Sequence, residues 1–70
     1  MLEVGDRIRV KTWFSNSIVT ITRVTKTKAI ADIKRKDGTK YTYGFKRECS
    51  DGHVRPFSYI PFDTTERTLL

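Results

Sequence analysis

Apolar and polar side chains alternate strictly along Arg7-Ile8-Arg9-Val10-Lys11, which places Ile8 and Val10 on one face of an extended strand and three cations on the other. Val4 continues the apolar parity, and Gly5-Asp6 is a turn-like lead-in. The pattern breaks at Trp13-Phe14 and the polar turn Ser15-Asn16-Ser17. A second strand is predicted over Ile18-Val19-Thr20-Ile21-Thr22-Arg23-Val24-Thr25, where β-branched side chains favour extended backbone. Its parity is mixed, because Ile18 and Val24 fall opposite to Val19 and Ile21. A bulge, or burial on both faces, would account for that. Lys26-Thr27-Lys28 reads as a polar bend and Ala29-Ile30-Ala31-Asp32-Ile33 as a third strand. Lys36-Asp37-Gly38-Thr39 is the strongest turn signal in the chain, since Asp-Gly suits the positive φ of a tight hairpin. Beyond it Tyr41, Tyr43 and Phe45 share one parity against Thr42 and Gly44, giving a fourth strand with an aromatic side facing the core.

Ser50-Asp51-Gly52 makes another turn, and His53-Val54-Arg55 is predicted as a short fifth strand. Pro56 and Pro61 bracket Phe57-Ser58-Tyr59-Ile60, which fits an edge or an irregular cover because Pro cannot donate to a central ladder. Asp63-Thr64-Thr65-Glu66 has the spacing of a helix N-cap with an acid three positions on, which predicts one short helical turn. Thr68-Leu69-Leu70 is expected to fray or to dock. The expected fold class is therefore all-β: a small barrel or a strongly curled antiparallel sheet with an irregular C-terminal segment. A flat sheet of this size would leave one face and two edges unprotected. Seventy residues allow one domain, with residues 1–56 as a basic β body and residues 57–70 as its Pro/aromatic cover and tail.

The stretch Val4-Gly5-Asp6-Arg7-Ile8-Arg9-Val10 resembles the first strand of SH3-like barrels, in which a Gly-Asp turn leads into an alternating apolar strand. The order of the later segments is also similar: an irregular stretch, central hairpins, a short last strand, over roughly residues 4–55. The resemblance implies a five-stranded SH3-like barrel. It implies no particular activity, since such barrels host nucleic-acid and peptide binders alike. The segment from Pro56 onward departs from the pattern. In size and charge the chain is similar in general type to phage accessory proteins.

Charge sharpens this picture. Fourteen Lys/Arg stand against eight Asp/Glu, a net charge of +6. Residues 1–56 hold thirteen of the cations and six of the acids, so the body carries +7 and the last fourteen residues −1. Such a field attracts nucleic acid, acidic proteins or anionic surfaces. The single Cys49 rules out an intramolecular disulfide and points to a reducing, cytoplasmic setting. With His53 the only histidine, no four-ligand His/Cys zinc site can be built, and no metal or cofactor is expected. No apolar run approaches the ~20 residues of a membrane span, and Met1–Asp6 lacks the basic and apolar regions of a secretory signal.

Catalysis is not expected. Cys49 and His53 are too close in sequence, around a tight turn, to hold thiol–imidazole geometry, and the carboxylates are scattered. The candidate binding residues are the basic row Arg7, Arg9 and Lys11, with Trp13 at its end as a stacking or groove-filling aromatic. A second group, Lys34, Arg35, Lys36 and Lys40, surrounds the Asp-Gly turn, and Lys46-Arg47 makes a third. The leading expectation is a nucleic-acid-binding (DNA or RNA) accessory protein. The alternatives are a module that binds an acidic host protein, and an assembly protein acting as an oligomer.

Overall fold

The computed structural model describes all residues, Met1–Leu70, and contains strands and turns but no helix. The strands are β1 (Arg7–Lys11), β2 (Asn16–Thr20), β3 (Arg23–Val24), β4 (Lys28–Lys34), β5 (Lys40–Lys46) and β6 (Glu66–Leu69). They form two three-stranded antiparallel sheets, ordered β2-β1-β6 and β3-β4-β5. The all-β class read from the sequence is the class observed. No helix is long and apolar enough to cross a membrane.

The mixed parity of residues 18–25 has a structural origin: the chain passes from one sheet to the other at Ile21-Thr22. The Ile21 N–H donates to the Asp6 carbonyl beside the first sheet, and the next N–H, of Thr22, donates to the Ile30 carbonyl of the second. The predicted single strand is thus β2 and β3, with the side-chain parity reset between them. Ile21 is almost fully buried at the corner.

Residues 52–57 join the sheets on the far side. The Val54 N–H donates to Arg67 C=O and the Leu69 N–H to Gly52 C=O, which docks this segment on β6. The Lys46 N–H donates to Arg55 C=O and the Phe57 N–H to Gly44 C=O, which docks its other half on β5. His53-Val54-Arg55 is therefore no regular fifth strand. It makes isolated bridges (His53 with Thr68, and neighbouring Pro56 with Phe45) because the chain must turn from one sheet to the other within a few residues.

The C-terminal segment corrects a second expectation. Asp63-Thr64-Thr65-Glu66 forms no helical turn. The Asp63 Oδ1 accepts the Thr65 N–H at 2.9 Å, and its Oδ2 accepts from the Arg67 guanidinium at 2.7 Å. An aspartate bonding the amide two residues on also makes an Asx turn. Here that turn delivers the chain into β6, paired with β1 in the register Ile8–Leu69 and Val10–Arg67. The chain end docks.

The core is small: Leu2, Ile8, Val10, Val19, Ile21, Ala29, Ala31, Phe45 and Val54 are its nine buried residues. In the second sheet small faces large, with Ala29 opposite Phe45 and Ala31 opposite Tyr43. Leu2 is seated by Arg47, whose guanidinium donates to the Leu2 and Thr25 carbonyls and pairs with Glu3 at 3.1 Å.

The Asp63–Arg67 pair is the least exposed ion pair, with side chains 14% and 13% accessible. The Thr65 N–H, then the Arg67 guanidinium and the Thr65 hydroxyl, hold the Asp63 carboxyl down to about 2 from its ordinary 3.8. A depressed acid favours folding fully above the unfolded value, about pH 4, and loses that contribution as pH falls through the folded value, about 2. Urea unfolding of the wild type should therefore weaken across this window. Asp63→Asn should be less stable near neutral pH and lose less on acidification. Part of the loss persists in the variant because Asp32 and Asp37 are also depressed. Parallel acid profiles for the two proteins would contradict this assignment.

Candidate functional site

Alternation decides which cations share a face. In the second sheet Ala29, Ala31 and Phe45 point into the core, so Lys28, Ile30, Asp32 and Lys34 of β4 and Lys40, Thr42, Gly44 and Lys46 of β5 point outward. Segment 55–57 extends this surface, because Pro56 bridges Phe45 and so turns Arg55 and Phe57 outward beside Lys46 and Gly44. β3 adds Arg23 opposite Ile30.

Across the strands, the outer face consists of rows. Lys28, Lys46 and Arg55 make one row, with neighbouring strands about 4.8 Å apart. Arg23, Ile30, Gly44 and Phe57 make the next, then Asp32 with Thr42, and finally Lys34 with Lys40. Lys28 directly opposite Lys46, and Lys34 directly opposite Lys40, are like-charged cross-strand pairs, which disfavour the isolated fold. The one acid within the rows is already matched: Asp32 accepts from the Thr22 hydroxyl at 2.7 Å and pairs with Arg23 at 3.1 Å. Those contacts, the Thr22 bond foremost, hold its carboxyl below the ordinary range. At the margin, Glu48 and the Arg67-paired Asp63 line grooves with Lys46.

Phe57 stands as a ridge among three shallow grooves of this surface. The largest, about 440 Å³, runs past Lys46, Arg55, Phe57, Tyr59 and Ile60. The Lys28 ammonium lies 4.1 Å from the Phe57 ring centroid, within cation–π range. Tyr59 is 89% exposed.

The remaining candidates fall elsewhere. Arg7, Arg9 and Lys11 do stand in a row on β1, exposed, but on the outer face of the first sheet, across the core from the rows of the second. That row is interrupted by apolar and acidic neighbours: Arg9 is flanked by Ile18 and Thr68, and Lys11 faces Glu66. Trp13 and Phe14 form the tip of the β1–β2 turn, 90% and 77% exposed, packed edge-to-face at 5.4 Å. Lys36 is exposed at the hairpin tip, where Gly38 takes φ +91° and the Asp37 carboxylate accepts from Thr39. Arg35 instead stacks its guanidinium on Tyr41, 4.6 Å from the ring centroid. Arg47 is committed to the N-terminal clamp and is set apart from Lys46.

Sequence reasoning missed Lys28, Arg55, Phe57 and Tyr59. Lys28 looked like a bend, Arg55 and Phe57 flank Pro56, and Tyr59 lies two residues before Pro61. Their shared signal is the alternation Arg55, Phe57 around Pro56, which becomes informative only once the pairing with β5 is known.

Cys49 packs against the core while His53 is exposed opposite Thr68. No three His, Cys, Asp or Glu side chains gather in a metal-binding group. Comparison with protein-family models, with curated proteins and with solved structures finds no match for this chain.

Proposed function

We propose that this protein is a non-enzymatic nucleic-acid-binding accessory protein, similar in type to those of phages, that holds phosphate backbones on the outer face of β3-β4-β5. It works inside the cell, where its one thiol stays reduced. The observation that carries this reading is the row Lys28-Lys46-Arg55 with the pair Lys34-Lys40 (like charges placed directly opposite one another, the one acid within the rows, Asp32, being paired with Arg23). A polyanion relieves that repulsion, and the released counterions add to the affinity. Three of the fourteen cations are in ion pairs (Arg23, Arg47 and Arg67), which leaves eleven for a ligand. Most contacts are to phosphate, so sequence preference is weak.

Fluorescence anisotropy with a labelled oligonucleotide at low salt tests this. Lys28→Gln/Lys46→Gln/Arg55→Gln should lose roughly a hundredfold in affinity. Arg7→Gln/Arg9→Gln/Lys11→Gln removes the same charge from the opposite face and should lose less than tenfold. Undetectable binding by the wild type, or the larger loss in the β1 variant, would refute the reading.

Trp13 and Phe14 favour a second reading, a module that docks on an acidic protein, because exposed paired aromatics are the usual anchors of protein interfaces. That reading requires a stoichiometric complex that survives nuclease and is broken by Trp13→Ala.

A further inference from the structure

We propose that the ligand of this face is single-stranded nucleic acid, with Phe57 and Tyr59 as base-stacking surfaces beside the phosphate-holding row Lys28-Lys46-Arg55; the inference rests on the proposed nucleic-acid function.

The cationic face is interleaved with aromatic surface. Phe57 is turned outward beside Gly44, one row from Arg55 and Lys46, and remains 40% exposed. Gly44 has no side chain, and the adjoining groove of about 310 Å³ is lined by Lys28, Gly44 and Phe57. Tyr59 lines the neighbouring groove with Lys46 and Arg55 and makes no ring–ring contact. The Lys28 ammonium at the Phe57 ring places a phosphate-binding charge within one side chain of a stacking plane.

The loop that carries these rings leaves apolar side chains in solvent, and the residue just past it holds an unfavourable backbone conformation. Pro56 and Pro61 restrict its ends, yet Ile60 is 49% exposed and Phe62 entirely so. Phe62 also sits at φ +59°, a region that a bulky residue rarely adopts. Exposed rings and a strained backbone gain nothing for the free protein, whereas a ligand with planar apolar faces and a negative backbone matches both halves of the surface. Duplexes bury their base faces in the stack, so only unpaired strands can use the rings. On the opposite sheet the groove beside Trp13 is lined by a single cation, Lys11, against Glu66, whereas the groove beside Tyr59 sets Lys46, Arg55 and Arg67 against Asp63.

Anisotropy titrations with thymidine and uridine homopolymers of about twelve nucleotides, and with a duplex of the same length, test the assignment. Either single strand should bind at least about tenfold more tightly than the duplex. Tyr59→Ala and Phe57→Leu should each reduce single-strand affinity by about fivefold or more and leave duplex affinity unchanged. Phe57→Leu keeps an apolar side chain against Gly44, and Tyr59 is too exposed to matter for folding, so circular dichroism should match the wild type. Trp13 is the only tryptophan and lies off this face, so its emission should not change on binding. Equal affinity for single strand and duplex, insensitivity to both variants, or quenching of Trp13 would overturn the inference while leaving the nucleic-acid reading intact. Failure of every oligonucleotide to bind would remove both.

Discussion

Phe45→Ala is expected to remove about a third or more of the chain's stability and to lower its urea midpoint accordingly. Phe45 is the largest of the fully buried side chains and 1% exposed. It faces Ala29 across β4, stacks on Tyr43 at 6.2 Å and touches Pro56 of the closing segment, so it lies where the second sheet meets the bridge to the first. Truncating a buried Phe costs about 3–5 kcal/mol. A chain of seventy residues has a total stability of about 4–10 kcal/mol. The opposing alanines, Ala29 and Ala31, cannot fill the cavity, and with nine core residues nothing else can compensate. Circular dichroism and urea titration measure the outcome. A folded variant with an unchanged urea midpoint would show that the core is organised around something other than this ring.

Lys46→Glu is expected to move stability and binding in opposite directions. Lys46 stands between Lys28 and Arg55, so a carboxylate there replaces two repulsive cross-strand pairs with two attractive ones. Cross-strand charge pairs contribute roughly 0.2–1 kcal/mol each, and exposed pairs fall at the low end, so a gain of about 0.5–1 kcal/mol is expected. The same change turns the middle of the phosphate-holding row negative and should lower oligonucleotide affinity roughly ten- to a hundredfold. A residue whose removal stabilises the fold and abolishes binding is serving a ligand. If Lys46→Glu destabilises the protein, or leaves binding unchanged, the row has only a structural or solubilising role.

The range of each interaction decides whether the sequence discloses it. The alternation in Arg7–Lys11 and the Asp37-Gly38 turn are local, and both appear in the fold as read. So does the core-facing side of Tyr43 and Phe45, while Tyr41 shares their parity but stays outside the core, under the Arg35 guanidinium. The pairings of 55–57 with β5 and of β6 with β1 join segments that no short-range pattern connects, and they depend on short stretches beside Pro56 and Pro61. The Asp63 turn is a case of two structures sharing one first step: a side-chain oxygen bonding a nearby amide begins a helix or an Asx turn. Only the later pairing of Arg67–Leu69 with β1 decides between them. The candidate site was legible in its residue types and illegible in its grouping. Lys46-Arg47 reads as one cluster in the sequence, but consecutive strand residues face opposite ways, so Lys46 joins the outer row and Arg47 turns to the N-terminus. Likewise the sequence does not say how the row Arg7, Arg9 and Lys11 lies relative to Lys34 and Lys40, which a shared core places on opposite sides of the molecule.

The salt dependence of oligonucleotide affinity tests the central claim most directly. If Lys28, Lys46 and Arg55 each hold a phosphate, the logarithm of the association constant should fall linearly with the logarithm of salt concentration, with a slope of about −2 or steeper for a single strand. Lys28→Gln/Lys46→Gln/Arg55→Gln should make that slope shallower by about 2. A wild-type slope near zero, or one that the triple variant leaves unchanged, would contradict a phosphate-binding face on the second sheet.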